Sequence, residues 1–388
     1  MNKQNMIQET VEQISEKEIE KKLVQIIEIP SISGEEGAIA CYLEKKLQNL
    51  GLQTELDEVE KDRYNVIATL KGKSNHRKAI LLTGHMDTVS PTEGWSTNPF
   101  KASIQGDRVF GLGACDMKGG LTAILAAIEA IQIKKIDLEN DIIIAFVVDE
   151  EMYSKGMKQL IKRNLVADFA LMAEPNFDKV VLGWPGKLLI KGKFKGKAGH
   201  TGALKEGINA IEEAANFISN LNAVKIPSHP KIKKQPFVIL NIKGGYDKYS
   251  VTIPDECEII LNKHTVPGED KERVLKELKG LVLKIGLKAK LDLEILAPYY
   301  PSCIVDENNS YVRTLRIIYK EVMGTELKIG YSNGVCDANL LASGELGIPT
   351  AELGPAGGPI HSPNEWVSKD QIKKVAEIYI RFLLNFAL

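Results

Sequence analysis

Apolar runs in this chain stop repeatedly on a histidine or an acidic residue, the residue types that bind divalent metals and move protons. The residues at these ends are His85 with Asp87, the triplet Asp149-Glu150-Glu151, and Glu174, and glycine-rich stretches lead into Asp116 and approach His361. Ligands of an open α/β sheet bind beyond the carboxyl ends of its buried parallel strands, so we expect these side chains to meet in one crevice. Because converging carboxylates repel one another unless a cation holds them, the pattern predicts a metal site.

Each of these residues also has a simpler interpretation when it is taken alone. A histidine near an acid, two adjacent glutamates at a helix start, or an aspartate such as Asp116 capping a helix are common structural features. Together, two histidines and three or four carboxylates suit a pair of divalent first-row ions, with zinc as the first choice and cobalt or manganese as alternatives. Cys115 could be a zinc ligand, but an isolated cysteine is typical of a small buried apolar residue.

Composition excludes some classes of partner. The 388 residues are 44% apolar and 26% charged, which is typical of a globular protein with a large core. Acidic residues (51) and basic residues (50) nearly balance, so we expect neither nucleic-acid nor membrane binding. The lysines at 191, 193, 195 and 197 alternate as on the solvent face of a strand, which we favour over a phosphate-binding patch.

Three features predict a cytoplasmic protein. The first residues lack the apolar segment of a signal peptide, and no stretch approaches the roughly 20 apolar residues of a membrane helix. The five cysteines are odd in number and widely spaced, which favours free thiols in a reducing compartment.

Element patterns predict an α/β protein with an insertion. Helical patterns cover about 7–28 and 35–50, separated by 29–34, and strand and helix signals then alternate to about 185, with a clear helix over 121–131. The next predicted elements have the order β-α-β-β-α-β, which is the order of a ferredoxin-like module. They cover 188–195, 207–221, 236–242, 256–263, 270–285 and 288–295. From 298 the chain returns to α/β character and ends in an amphipathic helix over 369–386. We therefore predict a catalytic domain from 1–185 and 298–388, with a lid or dimerisation domain over 186–297 inserted into it.

Five motifs resemble one metallopeptidase and deacylase family. They are His85-Met86-Asp87, the segment 111–120 around Asp116, Asp149-Glu150-Glu151, Glu174-Pro175, and His361-Ser362-Pro363-Asn364-Glu365. The family contains acetylornithine deacetylase, succinyl-diaminopimelate desuccinylase, aminoacylase and glutamate carboxypeptidase. The resemblance spans nearly the whole chain, and segments 196–201 and 207–210 are similar to the family's lid. It implies a three-layer, zinc-exopeptidase-like α/β catalytic domain with a ferredoxin-like α+β lid.

The resemblance also implies a role for each site residue. Asp116 would bridge two metal ions, with His85 and Glu174 completing one set of ligands and Glu151 and His361 the other. Asp87 would accept the remaining ring N–H of His85 and fix its tautomer. Glu150 would be the general base, taking a proton from the attacking water and passing it to the leaving nitrogen. The peptide bond after Asp116 is expected to be cis.

Further residues are expected to act on the substrate. His200 resembles the lid histidine that, in family dimers, reaches the partner's active site and donates to the oxyanion; alternatively it is a polar residue beside a turn. Gly357 and Gly358 could bring backbone N–H groups near the substrate, or form a simple turn. His264 replaces an arginine of the family pattern that helps to hold a substrate carboxylate. The family's proline and asparagine are likewise replaced by Leu204 and Val251, so the lid is where substrate selection can differ.

The resemblance predicts hydrolysis of a linear amide bond, and we favour deacylation of an N-acyl amino acid. A di- or exopeptidase acting on small peptides is the alternative. A catalytically silent binding relative is a third possibility, but such a protein should have lost a metal ligand or the base, and this chain keeps them all. A homodimer formed through the lid is also expected.

Overall fold

The computed structural model describes residues 2–74, 78–248, 250–343 and 346–388. The chain forms two compact units, and the first consists of Met1–Leu182, Val305–Gly330 and Cys336–Leu388. The second unit consists of Gly183–Ile304 together with Tyr331–Val335. The second unit is thus inserted into the first in sequence.

The first unit is built on a mixed eight-stranded sheet. In spatial order its strands are Gln53–Glu60, Arg63–Leu70, Asp141–Val147, Ala79–His85, Phe169–Met172, Thr350–Glu352, Lys179–Val181 and Lys328–Gly330. The strand Ala79–His85 is buried along its whole length and pairs in parallel with both Asp141–Val147 and Phe169–Met172. Parallel pairing puts the carboxyl ends of these three strands at one edge, where His85, Glu150, Glu151 and Glu174 follow.

Helices of the first unit pack around this sheet. They are Lys3–Val11, Glu16–Ile27, Gly37–Asn49, Gly119–Ile133, Lys155–Lys162, Ser310–Met323, Asp337–Ser343 and Lys369–Ala387. The single helix predicted over 7–28 is wrong: the Ser15 hydroxyl accepts the N–H of Glu18 and begins a new helix there. A small sheet joins Ser103–Gln105, Arg108–Phe110, Trp366–Ser368 and Gly357–Gly358.

The second unit has the predicted ferredoxin-like order. Its antiparallel sheet contains, in spatial order, Val238–Gly244, Glu256–Thr265, Gly186–Lys195 and Lys290–Tyr300, with helices Ala210–Asn220 and Lys271–Ile285. Apolar side chains from both helices and the sheet, such as Phe194 and Phe217, form its core. Two short strands, Gly183–Trp184 and Cys303–Ile304, form a separate ribbon. The α/β fold with a ferredoxin-like insertion is confirmed.

The last strand of this sheet ends later than the sequence predicts. It continues past Pro298 to Tyr300, which pairs with Lys187, whereas the pattern ends the strand at 295 and returns to the catalytic domain at 298. Lys290–Tyr300 is an edge strand, and an edge strand tolerates a residue without an N–H. Proline is therefore not a stop signal at this position.

The alternating lysines of the second unit lie along a solvated strand face. Lys191 and Lys193 pair with Glu258, and Lys195 lies 3.7 Å from Asp292. The fourth lysine of the predicted stretch, Lys197, lies beyond the end of the strand Gly186–Lys195. Across the described residues, no helix is both long and apolar enough to cross a membrane.

Candidate metal centre

Asp116 lies between two histidines that are far apart in the sequence. Its Oδ1 is 3.1 Å from Nε2 of His85, and its Oδ2 is 3.4 Å from Nε2 of His361. His85 ends a buried strand and is 2% exposed, whereas the side chain of His361 is 49% exposed. The two oxygens of one carboxylate therefore face two different imidazole rings.

One further carboxylate completes each side of this arrangement. Glu174 Oε1 is 3.8 Å from His85 Nε2, and Glu151 Oε1 is 2.9 Å from His361 Nε2. The first triplet of potential ligands is His85, Asp116 and Glu174, and the second is Asp116, Glu151 and His361. Within each triplet the potential ligand atoms lie within 4.8 Å of one another. Imidazole nitrogens and carboxylate oxygens in such numbers fit a pair of divalent first-row ions.

The electrostatics of the centre favour cations. Burial raises the pKa of Glu174 and Glu150 well above the usual value, and neighbouring carboxylates add to both shifts. Hydrogen bonds to Asp116 and Glu151 raise the pKa of His361 to about 10. In the metal-free chain, protons on the histidines thus offset the clustered acids. Divalent ions would replace those protons.

Asp87 is linked both to His85 and to the loop that carries the two glutamates. The ring nitrogen Nδ1 of His85 lies 2.9 Å from the backbone oxygen of Asp87 and 3.6 Å from its carboxylate. The carbonyl is therefore the nearer acceptor, while the carboxylate that the resemblance implies lies farther from the ring and also interacts with it. The carboxylate also accepts the backbone N–H groups of Glu150 and Glu151, each at 3.1 Å.

Glu150 lies beside the centre but belongs to neither triplet of potential ligands. Its carboxyl has a raised pKa because of burial, with Asp337 and Glu151 contributing, while that of Glu151 faces His361. The two adjacent glutamates thus have different surroundings. The bond between Asp116 and Met117 is cis, as the resemblance implies.

A model of peptidase family M20/M25/M40 matches residues 81–385. The chain belongs to this family. Membership confirms the resemblance stated from the motifs, and it makes the chain an enzyme that hydrolyses amide or peptide bonds.

Curated relatives of this M20 chain include two kinds of deacylase. N-formyl-4-amino-5-aminomethyl-2-methylpyrimidine deformylase of Halalkalibacterium halodurans is 28% identical, over 89% of this chain and 87% of the relative. Succinyl-diaminopimelate desuccinylase of Sulfurimonas denitrificans is 27% identical, over 84% of this chain and 91% of the relative.

Solved structures support the M20 fold. The tripeptidase of Staphylococcus aureus is 25% identical with a TM-score of 0.77, covering 96% of this chain and 98% of that one. The YXEP protein of Bacillus subtilis, a dinuclear metal-binding peptidase of the M20 family, has a TM-score of 0.75 at 16% identity, covering 96% and 98%.

Glu365 lies at the M20 centre, although no role was predicted for it from the motifs. Its side-chain oxygens accept the backbone N–H groups of Gly113 (2.8 Å), Cys115 (2.8 Å) and Asp116 (2.9 Å). It is 1% exposed and therefore anchors the loop that presents Asp116. The signal available in the sequence was its position four residues after His361, within the motif His361-Ser362-Pro363-Asn364-Glu365.

The remaining predicted site residues lie elsewhere in the chain. His200 and His264 belong to the second unit, where His200 is exposed and His264 lies in the strand Glu256–Thr265. Gly357 and Gly358 form a short strand of the first unit. A Cβ at Gly357 would lie 1.9 Å from the carbonyl oxygen of Trp366, so close backbone packing accounts for that glycine.

His264 has the surroundings of an uncharged imidazole. Burial lowers its pKa, and the nearby Lys187 and Lys263 lower it further. Its Nδ1 is buried without a hydrogen-bond partner among the described residues. At neutral pH this side chain therefore lacks the positive charge that the family's arginine would supply.

Proposed function

We propose that this chain is a dinuclear metallohydrolase that removes the acyl group from an N-acyl amino acid. The observation that carries the proposal is Asp116, whose two oxygens each face a separate histidine-carboxylate pair. His85, Asp116 and Glu174 would hold one ion, and Asp116, Glu151 and His361 the other. Zinc is the first choice because the donors are imidazole and carboxylate, with cobalt or manganese as alternatives.

Bound divalent ions supply Lewis-acid polarisation of the amide carbonyl and lower the pKa of an attacking water. Glu150 is the proposed general base, because it lies half-buried beside the potential ligands without belonging to either triplet. Its carboxylate takes the proton of the water and later gives it to the leaving nitrogen. Asp87 keeps Glu150 in place through the backbone N–H at 3.1 Å.

His200 is the proposed donor to the developing oxyanion, supplied to the active site of a partner subunit. Its Nδ1 accepts the N–H of Gly202 at 3.0 Å, so a neutral ring carries its proton on Nε2. The exposed imidazole therefore presents an N–H donor. This is the form that an oxyanion requires.

A homodimer through the second unit would bring His200 to a partner. Val238–Gly244 is an edge strand of the second unit, and its residues Val238, Leu240 and Ile242 are 44%, 56% and 51% exposed. An edge strand with exposed apolar side chains is suited to pairing with a second copy. We also assign the enzyme to the cytoplasm, because its five cysteines are odd in number and widely spaced in the sequence, a pattern that is typical of a reducing compartment.

Deacylation is favoured over peptide hydrolysis because the curated relatives named above are a deformylase and a desuccinylase. A peptidase remains the second candidate, supported by the 25% identical tripeptidase. The uncharged His264 weakens the case for a tightly held substrate carboxylate in either candidate.

The test is a hydrolysis screen of the whole chain with zinc, cobalt or manganese. The panel contains N-formyl, N-acetyl and N-succinyl amino acids, matching amines without a carboxylate, and di- and tripeptides. We expect turnover of N-acyl compounds. Turnover of peptides alone would replace deacylation by the second candidate, and no turnover of any compound would refute the proposal.

Glu150→Gln tests the assignment of the base in the same screen. We expect metal content to stay unchanged and turnover to fall by about 100-fold or more. Glu58→Gln, at an exposed strand position, is the matched control and should retain full activity. Full activity of Glu150→Gln would overturn the assignment.

A further inference from the structure

The segment between the second and third helices lies directly beside the strand end that carries His85. The backbone N–H of Thr88 donates to the Ser31 carbonyl (2.9 Å), and that of Ser33 donates to the Thr88 carbonyl (3.0 Å). Two serine side chains extend this contact. The Ser31 hydroxyl donates to the Met86 carbonyl at 2.8 Å, and the Ser33 hydroxyl donates to Oδ2 of Asp87 at 2.7 Å.

Ser33 thereby supports the carboxylate that holds the two site glutamates. Oδ2 of Asp87 also accepts the N–H of Glu151, and Oδ1 accepts the N–H of Glu150. Asp87 is 0% exposed, so protein groups and not bulk solvent orient its carboxylate. The hydroxyl of Ser33 fixes one oxygen of Asp87 and leaves the other aimed at Glu150.

A buried ion-pair network holds the same loop from its other side. Arg63 donates to both oxygens of Glu36, at 2.7 and 2.6 Å, and to Oδ1 of Asp149 at 2.7 Å. These three residues are nearly inaccessible to solvent: Arg63 is 7% exposed, Glu36 0% and Asp149 2%. Asp149 directly precedes Glu150 in the chain, so the guanidinium anchors the start of the Glu150–Glu151 segment.

Asp149 needs such an anchor because of its backbone conformation. It has a φ of 69°, in the left-handed region that residues with a Cβ rarely adopt. Its Oδ2 accepts the N–H groups of Tyr153 (3.2 Å) and Lys155 (3.3 Å), which closes the turn after the two glutamates. The side chain of Asp149 therefore stabilises the turn, and Arg63 fixes that side chain.

These two supports are joined into one closed structure. Oε1 of Glu36 accepts the N–H of Gly34 at 3.0 Å, and Gly34 follows Ser33. Starting from Ser33, the path runs through Gly34, Glu36, Arg63, Asp149, the Glu150–Glu151 backbone and Asp87, and returns to Ser33. We call this path the buried ring, after the four members whose side chains are buried, which are Glu36, Arg63, Asp87 and Asp149.

We propose that Ser33 and Arg63 are positioning residues that orient Glu150 and Glu151 through the buried ring. The inference rests on the proposed function, in which Glu150 is the base and Glu151 a metal ligand. Neither Ser33 nor Arg63 belongs to the metal triplets, so both act through other residues. The supports of metal ligands typically contribute 10- to 100-fold to metal affinity or activity.

Ser33→Ala is the sharpest test, because it removes one hydroxyl from the buried ring and leaves every charge in place. Its matched control is Ser31→Ala, which removes a hydroxyl hydrogen bond of similar length from the same segment outside the ring. We expect Ser33→Ala to lower kcat by about 10-fold with KM unchanged. Ser31→Ala should leave kcat unchanged. Ser33→Thr keeps a hydroxyl and should therefore retain most of the wild-type kcat.

A second readout is the dissociation constant of Co²⁺, titrated by its visible absorption. We expect Ser33→Ala to weaken the binding of one of two cobalt ions by about 10-fold, because Glu151 loses its support, while Ser31→Ala binds both normally. Arg63→Lys should have a larger effect on both readouts, because an ammonium cannot bridge Glu36 and Asp149 in the same way. If Arg63→Lys does not fold, the comparison of Ser33→Ala with Ser31→Ala still tests the positioning role.

Two outcomes separate this inference from the proposed function. If the wild-type chain hydrolyses the panel and Ser33→Ala matches Ser31→Ala in kcat and in cobalt affinity, the positioning role is refuted. If the wild-type chain hydrolyses nothing, the proposed function fails. The cobalt titration of the same variants then tests the buried ring without any turnover. Equal cobalt affinities of Ser33→Ala and Ser31→Ala would refute the positioning role.

Discussion

Glu365 accepts the backbone N–H of Asp116 at 2.9 Å, so the residue that faces both histidines is held by a carboxylate from the same C-terminal motif as His361. The two segments lie 249 residues apart in the chain. The orientation of Asp116 thus depends on a buried side chain that belongs to neither group of potential metal ligands.

Glu365→Gln should weaken metal binding. A glutamine can keep one acceptor oxygen for Cys115 and Asp116, but its amide group would face the N–H of Gly113, so that donor would lose its partner. We expect a 10- to 100-fold increase in the dissociation constant for zinc or cobalt, measured by competition with a chelator. Unchanged affinity in a folded variant would contradict the anchoring role.

Metal binding should release protons and strengthen as the pH rises. In the metal-free chain, hydrogen bonds to Asp116 and Glu151 raise the pKa of His361 to about 10, so the ring remains protonated at neutral pH and competes with the ion. Affinity should therefore increase with pH up to about 10. Calorimetry in two buffers of different ionisation enthalpy measures the protons released.

The matched variants for this measurement are His361→Ala and His200→Ala. His361→Ala should release about one proton fewer, since the displaced proton resides on that ring. His200→Ala should release the wild-type number. Equal proton release from all three proteins would show that His361 is not the group displaced.

His264 should titrate below its usual range. Burial and two lysines lower its pKa, so the folded state binds this proton less readily than the unfolded state. Its contribution to stability is therefore present above about pH 6.5 and is lost as the pH falls through the lowered folded-state value. NMR titration of the ring, compared with the urea-unfolded chain, measures the shift, and a folded value above the unfolded one would contradict it.

Leu240→Lys should dissociate the proposed homodimer. Leu240 is 56% exposed on the edge strand Val238–Gly244, and a lysine there would place a charge in an apolar interface. Sedimentation should change from dimer to monomer. Ile317→Lys, at a 60% exposed position of the first unit, is the control and should remain dimeric. A monomeric wild-type chain would refute the dimer.

The sequence predicted the residues that gather at the centre because they share one simple geometric origin. His85 and Glu174 end or follow neighbouring parallel strands, and such ends must lie at the same edge of a sheet. The order of the ferredoxin-like unit was also readable, since its strands and helices alternate locally. These predictions depended on periodicity and on recognisable motifs.

The supporting residues could not be predicted in the same way. Arg63 and Asp149 are 86 residues apart, and an arginine at a strand start is not distinctive without the fold. The helix break before Ser15 and the passage of an edge strand through Pro298 were missed because each depends on which backbone groups need partners. The carbonyl of Asp87, rather than its carboxylate, lies nearest the ring of His85 because the carboxylate is occupied by the loop of Glu150.

The insertion of the second unit has a consequence for the order of synthesis. A chain that has grown to Leu182 already contains His85, Asp116, Glu151 and Glu174, but His361 and Glu365 still lie beyond the whole inserted unit. The strand Thr350–Glu352, which pairs with Phe169–Met172, is also made late. During translation the ribosome must therefore deliver nearly the entire chain before the second triplet and the support of Asp116 exist, so the complete centre is a late product of biosynthesis.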